Sequence, residues 1–305
     1  MKSSSVHRYN ADGGMSYLGK VLWLILNWLN NSWFANVKNA NLVMCDFKPE
    51  LSEERWNQAH ENGASPGRTL SNLFLMELPW ERIEHALGHI HVMDVGCGSG
   101  NNATRLQAWS GGRLSSYLGF DVREHEIWSD LERRHAECRF VCADVVDISK
   151  HLSGDINFIM SQSAVEHFED DIALFNEIRA FLDAKSKPAM QVHLFPSAVC
   201  MRLYPWHGVR QYTPRTVSLL TSIFNESSCT RLYRLGGLAC NKVLREFITA
   251  PILHPRDVDK RRRVRPNYYS RSVRAAIESD MASQQSAPSF YALVIESYSP
   301  DEMFQ

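Results

Sequence analysis

A short apolar run, Ile90-His91-Val92-Met93-Asp94-Val95, leads directly into three glycines at alternate positions, Gly96-Cys97-Gly98-Ser99-Gly100. A helical pattern takes over at Asn101. No other stretch of the 305 residues constrains the fold so tightly. Glycine reaches positive φ without steric cost and, lacking Cβ, lets backbone approach a ligand. The helix that follows offers unpaired N–H groups and a partial positive end. Asp94 lies just before the turn, where a carboxylate would oppose a pyrophosphate. The dinucleotide spacing Gly-x-Gly-x-x-Gly is also absent, which disfavours a nicotinamide-dependent oxidoreductase. A ligand carrying an ammonium group suits this turn better.

Strand and helix patterns alternate from here onward. Apolar, β-rich runs occur at Ile90–Val95, Tyr117–Val122, Phe140–Ala143, Ile156–Ser161 and Ala189–Phe195. Between the last two, Ile172, Phe175, Ile178 and Leu182 recur on one helical face, and Asp170 stands where a cap belongs. The alternation predicts an α/β protein with a Rossmann-like, doubly wound sheet. An apolar fraction of 44% supplies enough core for it. Beyond Pro196 the pattern loosens to helices over Pro214–Phe224 and Ser270–Met281 and strands over Arg231–Leu235 and Ser289–Ser297. Residues 1–88 read as an N-terminal helical cap, polar and turn-rich from Ala35 to Gly67. Residues 89–305 read as the main domain, with substrate-binding insertions after residue 196.

The stretch Val92-Met93-Asp94-Val95-Gly96-Cys97-Gly98-Ser99-Gly100 resembles the first motif of class I S-adenosylmethionine (SAM)-dependent methyltransferases. Three further matches follow in order: Tyr117-Leu118-Gly119-Phe120-Asp121, Val141-Cys142-Ala143-Asp144-Val145, and Ser161 to Asp170. The resemblance runs from His89 to Pro196. It implies a seven-stranded sheet, SAM as cofactor and methyl transfer as the activity. It also implies site roles. Asp94, Gly96, Cys97, Gly98 and Gly100 form the turn under the amino-acid end of SAM, with Cys97 as packing. Asp121 and Val122 meet the ribose, Asp144 and Val145 meet the adenine, and Ser161 and Gln162 wall the transferred methyl group. No metal is implied.

The methyl of a sulfonium is already activated, so much of the catalytic work is positioning. A hydroxyl acceptor still has a proton to lose, and histidine is the usual base near neutral pH. His193 and His167 are therefore the expected catalytic residues, each with the alternative of a satisfied structural histidine. The loop after Pro196 resembles a feature of bacterial methyltransferases of glycan and surface-polysaccharide type. Tyr204, Trp206, His207, Arg210 and Tyr212 in this loop are expected to bind the acceptor, by stacking and by pairing with a phosphate or carboxylate. The expected reaction is methylation of a hydroxyl on a small molecule or glycan precursor, with a membrane-peripheral quinone or lipid methyltransferase, or a non-catalytic scaffold protein of the same fold, as the alternatives. Methylation of exocyclic base nitrogens is disfavoured because Ser161-Gln162-Ser163-Ala164 carries no proline.

The net charge of −1 gives no global basic excess for a nucleic acid. Seven cysteines without a Cys-x-x-Cys pair argue against a disulfide framework or a closed zinc site, and for a reduced, cytoplasmic protein. In Met15–Phe34, the residues Leu18, Val21, Leu22, Ile25, Leu26, Leu29 and Trp33 form one apolar stripe. That helix is too interrupted to span a bilayer. It reads as packing on the domain or on a second copy in a homodimer, or as docking on the inner face of a membrane. The basic run Lys260-Arg261-Arg262-Arg263-Val264-Arg265 reads as solvated surface, with anionic contacts as its alternative.

Overall fold

The computed structural model describes residues 3–33, 41–152, 154–224, 228–253, 261, 266–283 and 287–298. Of the basic run, only Arg261 falls among them. The strands are β1 (Leu42–Asp46), β2 (Ile90–Val95), β3 (Leu114–Asp121), β4 (Cys138–Cys142), β5 (Phe158–Gln162), β6 (Ala189–Pro196), β7 (Ser228–Leu235) and β8 (Phe290–Ser297). They form one sheet in the order β1-β7-β8-β6-β5-β2-β3-β4. Strands β2 to β6 run parallel, and β8 is antiparallel to both β6 and β7. The chain steps outward from β2 to β4 and then returns to β5 on the other side of β2. That reversal makes β2/β5 the topological switch point, outside whose carboxyl ends ligands gather in open α/β sheets.

The helices are α1 (Tyr17–Trp28), α2 (Glu53–Ala59), α3 (Pro66–Met76), α4 (Trp80–Leu87), α5 (Asn101–Trp109), α6 (Trp128–Arg134), α7 (Asp171–Lys185), α8 (Cys200–Leu203), α9 (Pro214–Thr221), α10 (Leu238–Leu244), α11 (Ala250–Leu253) and α12 (Pro266–Met281). Alternation along each strand divides the core in two. On one face Met190, Val192 and Leu194 of β6 pack with Leu73 of α3, Ile83 of α4 and Ile277 of α12. On the other, Ala189 and Phe195 of β6 join Phe175 and Ile178 of α7 and Leu220 of α9.

Three sequence expectations need correction. The sheet has eight strands, not seven. The additional β1 pairs in parallel with β7, and an Arg234–Asp46 ion pair of 2.7 Å ties the two. The first 88 residues are consequently not a separate helical cap. They supply an edge strand, core residues such as Leu70 and Ile83, and a segment, Ser3–Asp12, that crosses the carboxyl ends of the strands. Finally, α1 turns its apolar stripe outward. Trp23 is fully buried and donates through Nε1 to the Gly208 carbonyl at 3.1 Å. Leu18 is 78% exposed and Ile25 51%, so packing on the domain is not what the stripe does.

A buried ion pair fastens the segment Ser3–Asp12. Arg210 and Asp171 are both fully enclosed, 3.4 Å apart. Asp171 accepts from the Ser4 N–H at 2.8 Å, from Ser4 Oγ at 2.5 Å and from Tyr212 Oη at 3.1 Å. Arg210 donates to Ser5 Oγ, Ser3 Oγ and the carbonyls of Phe168 and Glu169. Every charge is thus hydrogen-bonded as well as paired. Removing one partner strands the other in a dry site, which costs about 3–5 kcal/mol. Arg210→Ala is expected to lower the unfolding free energy by that amount in urea melts. A change within experimental error would show that Asp171 finds solvent without its partner.

Candidate functional site

The glycine turn closes over the end of β2. Gly96 lies at φ +76°, and a Cβ built there would sit 2.3 Å from the Ala164 Cβ in the loop after β5. Glycine is required on both counts. Gly98, at φ +55°, has nothing within 4 Å of a built Cβ. Its N–H donates to Asp121 Oδ2 at 2.8 Å, and its carbonyl accepts from Trp128 Nε1 at 2.9 Å. Gly100, at φ +80°, starts α5. Cys97 is buried in the turn, where burial pushes its thiol far above the usual range. It is a packing group, not a nucleophile.

Asp94 is fully buried beneath this turn. Its Oδ2 accepts from Tyr117 Oη at 2.7 Å and from Asn102 Nδ2 at 3.1 Å. Its Oδ1 has no partner among the described residues. Burial pushes the carboxyl up to about 6, against the pull of those two hydrogen bonds. A half-satisfied carboxylate under an open glycine cradle fits a cationic amino-acid end. Asp121, at the end of β3, also accepts from the Arg123 N–H at 3.0 Å and is partly exposed. Asp144, exposed two residues beyond β4, caps the turn that follows through the Val146 N–H at 3.0 Å. Val122 is 61% exposed and Val145 half-buried beside these two carboxylates. The four residues lie at or just beyond the carboxyl ends of β3 and β4.

On the other side of the switch point is a cavity of about 520 Å³. Its wall includes Arg68, Glu166, His167, Tyr204, His207 and Gln211. Glu166 is 1% exposed, and its Oε2 has no partner among the described residues. Burial pushes its carboxyl up to about 7, against the opposing influence of nearby His167. His167 Nδ1 stands 2.5 Å from Asp12 Oδ2. Burial raises the Asp12 carboxyl, but its bonds to His167 and the Gly208 N–H prevail and hold it below its ordinary value. The His207 ring meets that of His167 edge-on, with centroids 4.6 Å apart. Burial lowers His207 to about 4, so it is neutral at physiological pH. Gly208 makes this packing possible, because a Cβ there would come within 2.7 Å of the Glu166 carbonyl.

Several expected site residues lie elsewhere. His193 falls on the α7 face of β6, because strand alternation turns it away from the crevice. It is fully buried against Phe175, with Ser161 Oγ 2.8 Å from Nδ1. Burial lowers it to about 3, which leaves a neutral core histidine out of reach of an acceptor. That contact also occupies the Ser161 hydroxyl. The Gln162 amide accepts from Arg68 at 2.5 Å and donates to Asn72 Oδ1 at 3.1 Å, which fixes α3 to the strand end. Arg210 and Tyr212 are enclosed in the ion-pair network and do not face the cavity. Trp206 lies against α1, with the Lys20 ammonium 5.1 Å from its ring centre. Of the five residues expected to bind the acceptor, Tyr204 and His207 line the cavity.

Arg68, Asp12 and Asn102 were not singled out by sequence, and Glu166 only as part of the Ser161–Asp170 match. Asn102, at the start of α5, was within reach of a pattern argument, since it sits eight residues after Asp94 across the glycine turn. Asp12 was not, because 155 residues separate it from His167.

Comparison with known proteins bears on this geometry. Residues 92–185 match a family described as a methyltransferase domain. No curated protein sequence matches the chain. Among solved structures, it is similar to the plantazolicin methyltransferase BamL in complex with a triazolic desmethylPZN analog and SAH. That likeness has a TM-score of 0.48 at 12% identity, over 80% of this chain and 89% of that one. Another is Burkholderia thailandensis 1,6-didemethyltoxoflavin-N1-methyltransferase, with a TM-score of 0.43 at 12% identity over 73% and 78%. A third is the bifunctional kinase-methyltransferase WbdD, with a TM-score of 0.43 at 12% identity over 88% and 46%. Superpositions at this level say nothing about the acceptor.

The folded value of Asp94 lies above its ordinary 3.8. The destabilisation from burying its charge is absent where the carboxyl is protonated in both states. It grows as pH rises from about 4 to about 6 and is complete above that. Asp94→Asn is expected to remove this pH dependence and to stabilise the ligand-free protein at neutral pH by roughly 1–3 kcal/mol. Thermal melts on either side of the interval measure both effects, and a destabilised variant would contradict the assignment.

Proposed function

We propose that this chain, whose residues 92–185 match a methyltransferase domain, is a class I SAM-dependent methyltransferase that takes SAM as its cofactor and methylates a hydroxyl group of a small molecule or glycan precursor. One observation carries the reading. The glycine cradle with its half-satisfied Asp94 and the cavity bearing Glu166, His167 and His207 adjoin at the same switch point. Bound SAM supplies an electrophilic methyl group on a positively charged sulfur. Asp94 and the turn hold its amino-acid end, Asp121 its ribose and Asp144 its base. The cavity wall orients the acceptor, with Tyr204 offering a ring face and Arg68 a positive charge. The acceptor proton is drawn off at the cluster Glu166, His167 and His207, where Asp12 fixes the His167 imidazole.

Methyl-labelled SAM incubated with the full chain and a panel of hydroxylated, amino and thiol compounds tests this. Label is expected in alkali-stable methyl ethers. Transfer confined to nitrogen, sulfur or carbon would overturn the hydroxyl assignment. Asp94→Asn is expected to weaken SAM binding by about ten- to a hundredfold in calorimetry, the worth of one hydrogen bond to a charged group.

A second reading concerns location, and the outward stripe of α1 favours it. Tyr17, Leu18, Leu22, Ile25 and Trp28 are all exposed on one helix, a pattern that suits shallow insertion among lipid headgroups. No helix of the described residues is long and apolar enough to cross a membrane. On this reading the enzyme works at a membrane surface on a lipid-linked or quinone acceptor. The full chain is then expected to float with liposomes, and a Leu22→Glu, Ile25→Glu variant to stay behind. Failure of the parent chain to float, with concentration-dependent dimers in sizing, would instead assign the face to a second copy.

A further inference from the structure

The histidine and carboxylate cluster on the cavity wall has the composition of a metal site. Glu166, His167 and His207 each offer one ligand atom, and the three atoms lie within 4.8 Å of one another. A divalent ion at about 2.0–2.2 Å from each ligand requires separations no greater than about 4.4 Å. Side-chain adjustment of a few tenths of an ångström closes that gap. The second observation is independent of the clustering. Glu166 Oε2 is buried in the cavity wall without a hydrogen-bond partner, and so lacks what a buried carboxylate oxygen ordinarily has. Coordination would satisfy it.

The surroundings are those of a built site. Asp12 takes His167 Nδ1, which leaves Nε2 as the ligand atom and raises its basicity. Asp12 is itself held by the Gly208 N–H at 3.1 Å. The edge-on packing of the two imidazoles keeps His207 beside His167, and the Tyr204 ring stands 5.2 Å from His207 on its other flank.

We propose that Glu166, His167 and His207 bind a divalent first-row transition-metal ion, with Asp12 orienting His167. Two imidazoles and one carboxylate select for zinc, manganese, cobalt or iron(II) over magnesium and calcium, which prefer oxygen ligands alone. Three protein ligands leave positions open to the cavity. With the ion bound, an acceptor hydroxyl entering one of them would have its pKa lowered and would release its proton to solvent, so that the three ligands would act through the ion in place of serving as the base themselves. That role rests on the reading of the cavity as the acceptor site. Binding of the ion does not.

Chelator-treated full-length protein titrated with cobalt(II) tests the binding claim without SAM or acceptor. Saturable visible d–d bands are expected, displaced by zinc(II). Their affinity should fall about 10–100-fold in Asp12→Asn, the usual effect of losing a residue that orients a ligand. It should fall further in His207→Ala and Glu166→Gln. Calorimetry with SAM shows that each variant remains folded. Absence of d–d bands, or bands indifferent to all three substitutions, would overturn the site. Because no methyl transfer is measured, this result stays separable from failure of the hydroxyl assignment. If bands are present but chelation leaves methyl transfer unchanged, the site stands and its catalytic role falls.

Discussion

The enclosed Arg210–Asp171 pair holds together the segments that build the cavity wall beside it. Arg210 belongs to the loop after β6, Asp171 starts α7, and the serines that complete the network come from the first five residues. Three segments with no shared secondary structure are therefore brought to one point by charge and hydrogen bonds. Each also carries part of the cavity cluster. Asp12 follows the serines, Glu166 and His167 precede Asp171, and His207 precedes Arg210. The ion pair does not line the cavity, yet it sets the separations within the cluster that does.

Two other carboxylates are treated in the opposite way. Asp94 and Glu166 are as deeply buried as Asp171, but each keeps one oxygen without a partner among the described residues. A stable core has little use for such atoms. They lie on either side of the β2/β5 switch point, one facing the cofactor crevice and the other the cavity. The contrast between a fully satisfied carboxylate and two that each leave a buried oxygen unpartnered separates scaffold from site more sharply than exposure does.

Much of the sheet was legible because its strands are buried on both faces and read as unbroken apolar runs. Ile90–Val95 was placed to the residue, and Ala189–Phe195 to within one. The strand β1 was missed because it lies at an edge and only Leu42 of its five residues is buried, so its sequence has no alternation to read. The placement of the glycine turn and of Asp94, Asp121 and Asp144 was legible because it is local, each lying at or just beyond a strand end. The acceptor half was not. His193 and Tyr212 have the residue types of a site but face the core, which is decided by strand register and by the distant partners of a loop. Asp12 has no local signature, and its significance exists only once residues far along the chain have met it.

Ser4 finds its partner Asp171 167 positions downstream, and Ser5 finds Arg210 205 positions downstream. During synthesis these serines must wait unpaired until Asp171 and Arg210 have followed them. Contacts of such long range close late, because loop entropy opposes them until the intervening sheet is in place. The segment Ser3–Asp12 thus acts as a final latch on a nascent chain, and a partly translated molecule would hold its glycine turn before the cavity wall was complete.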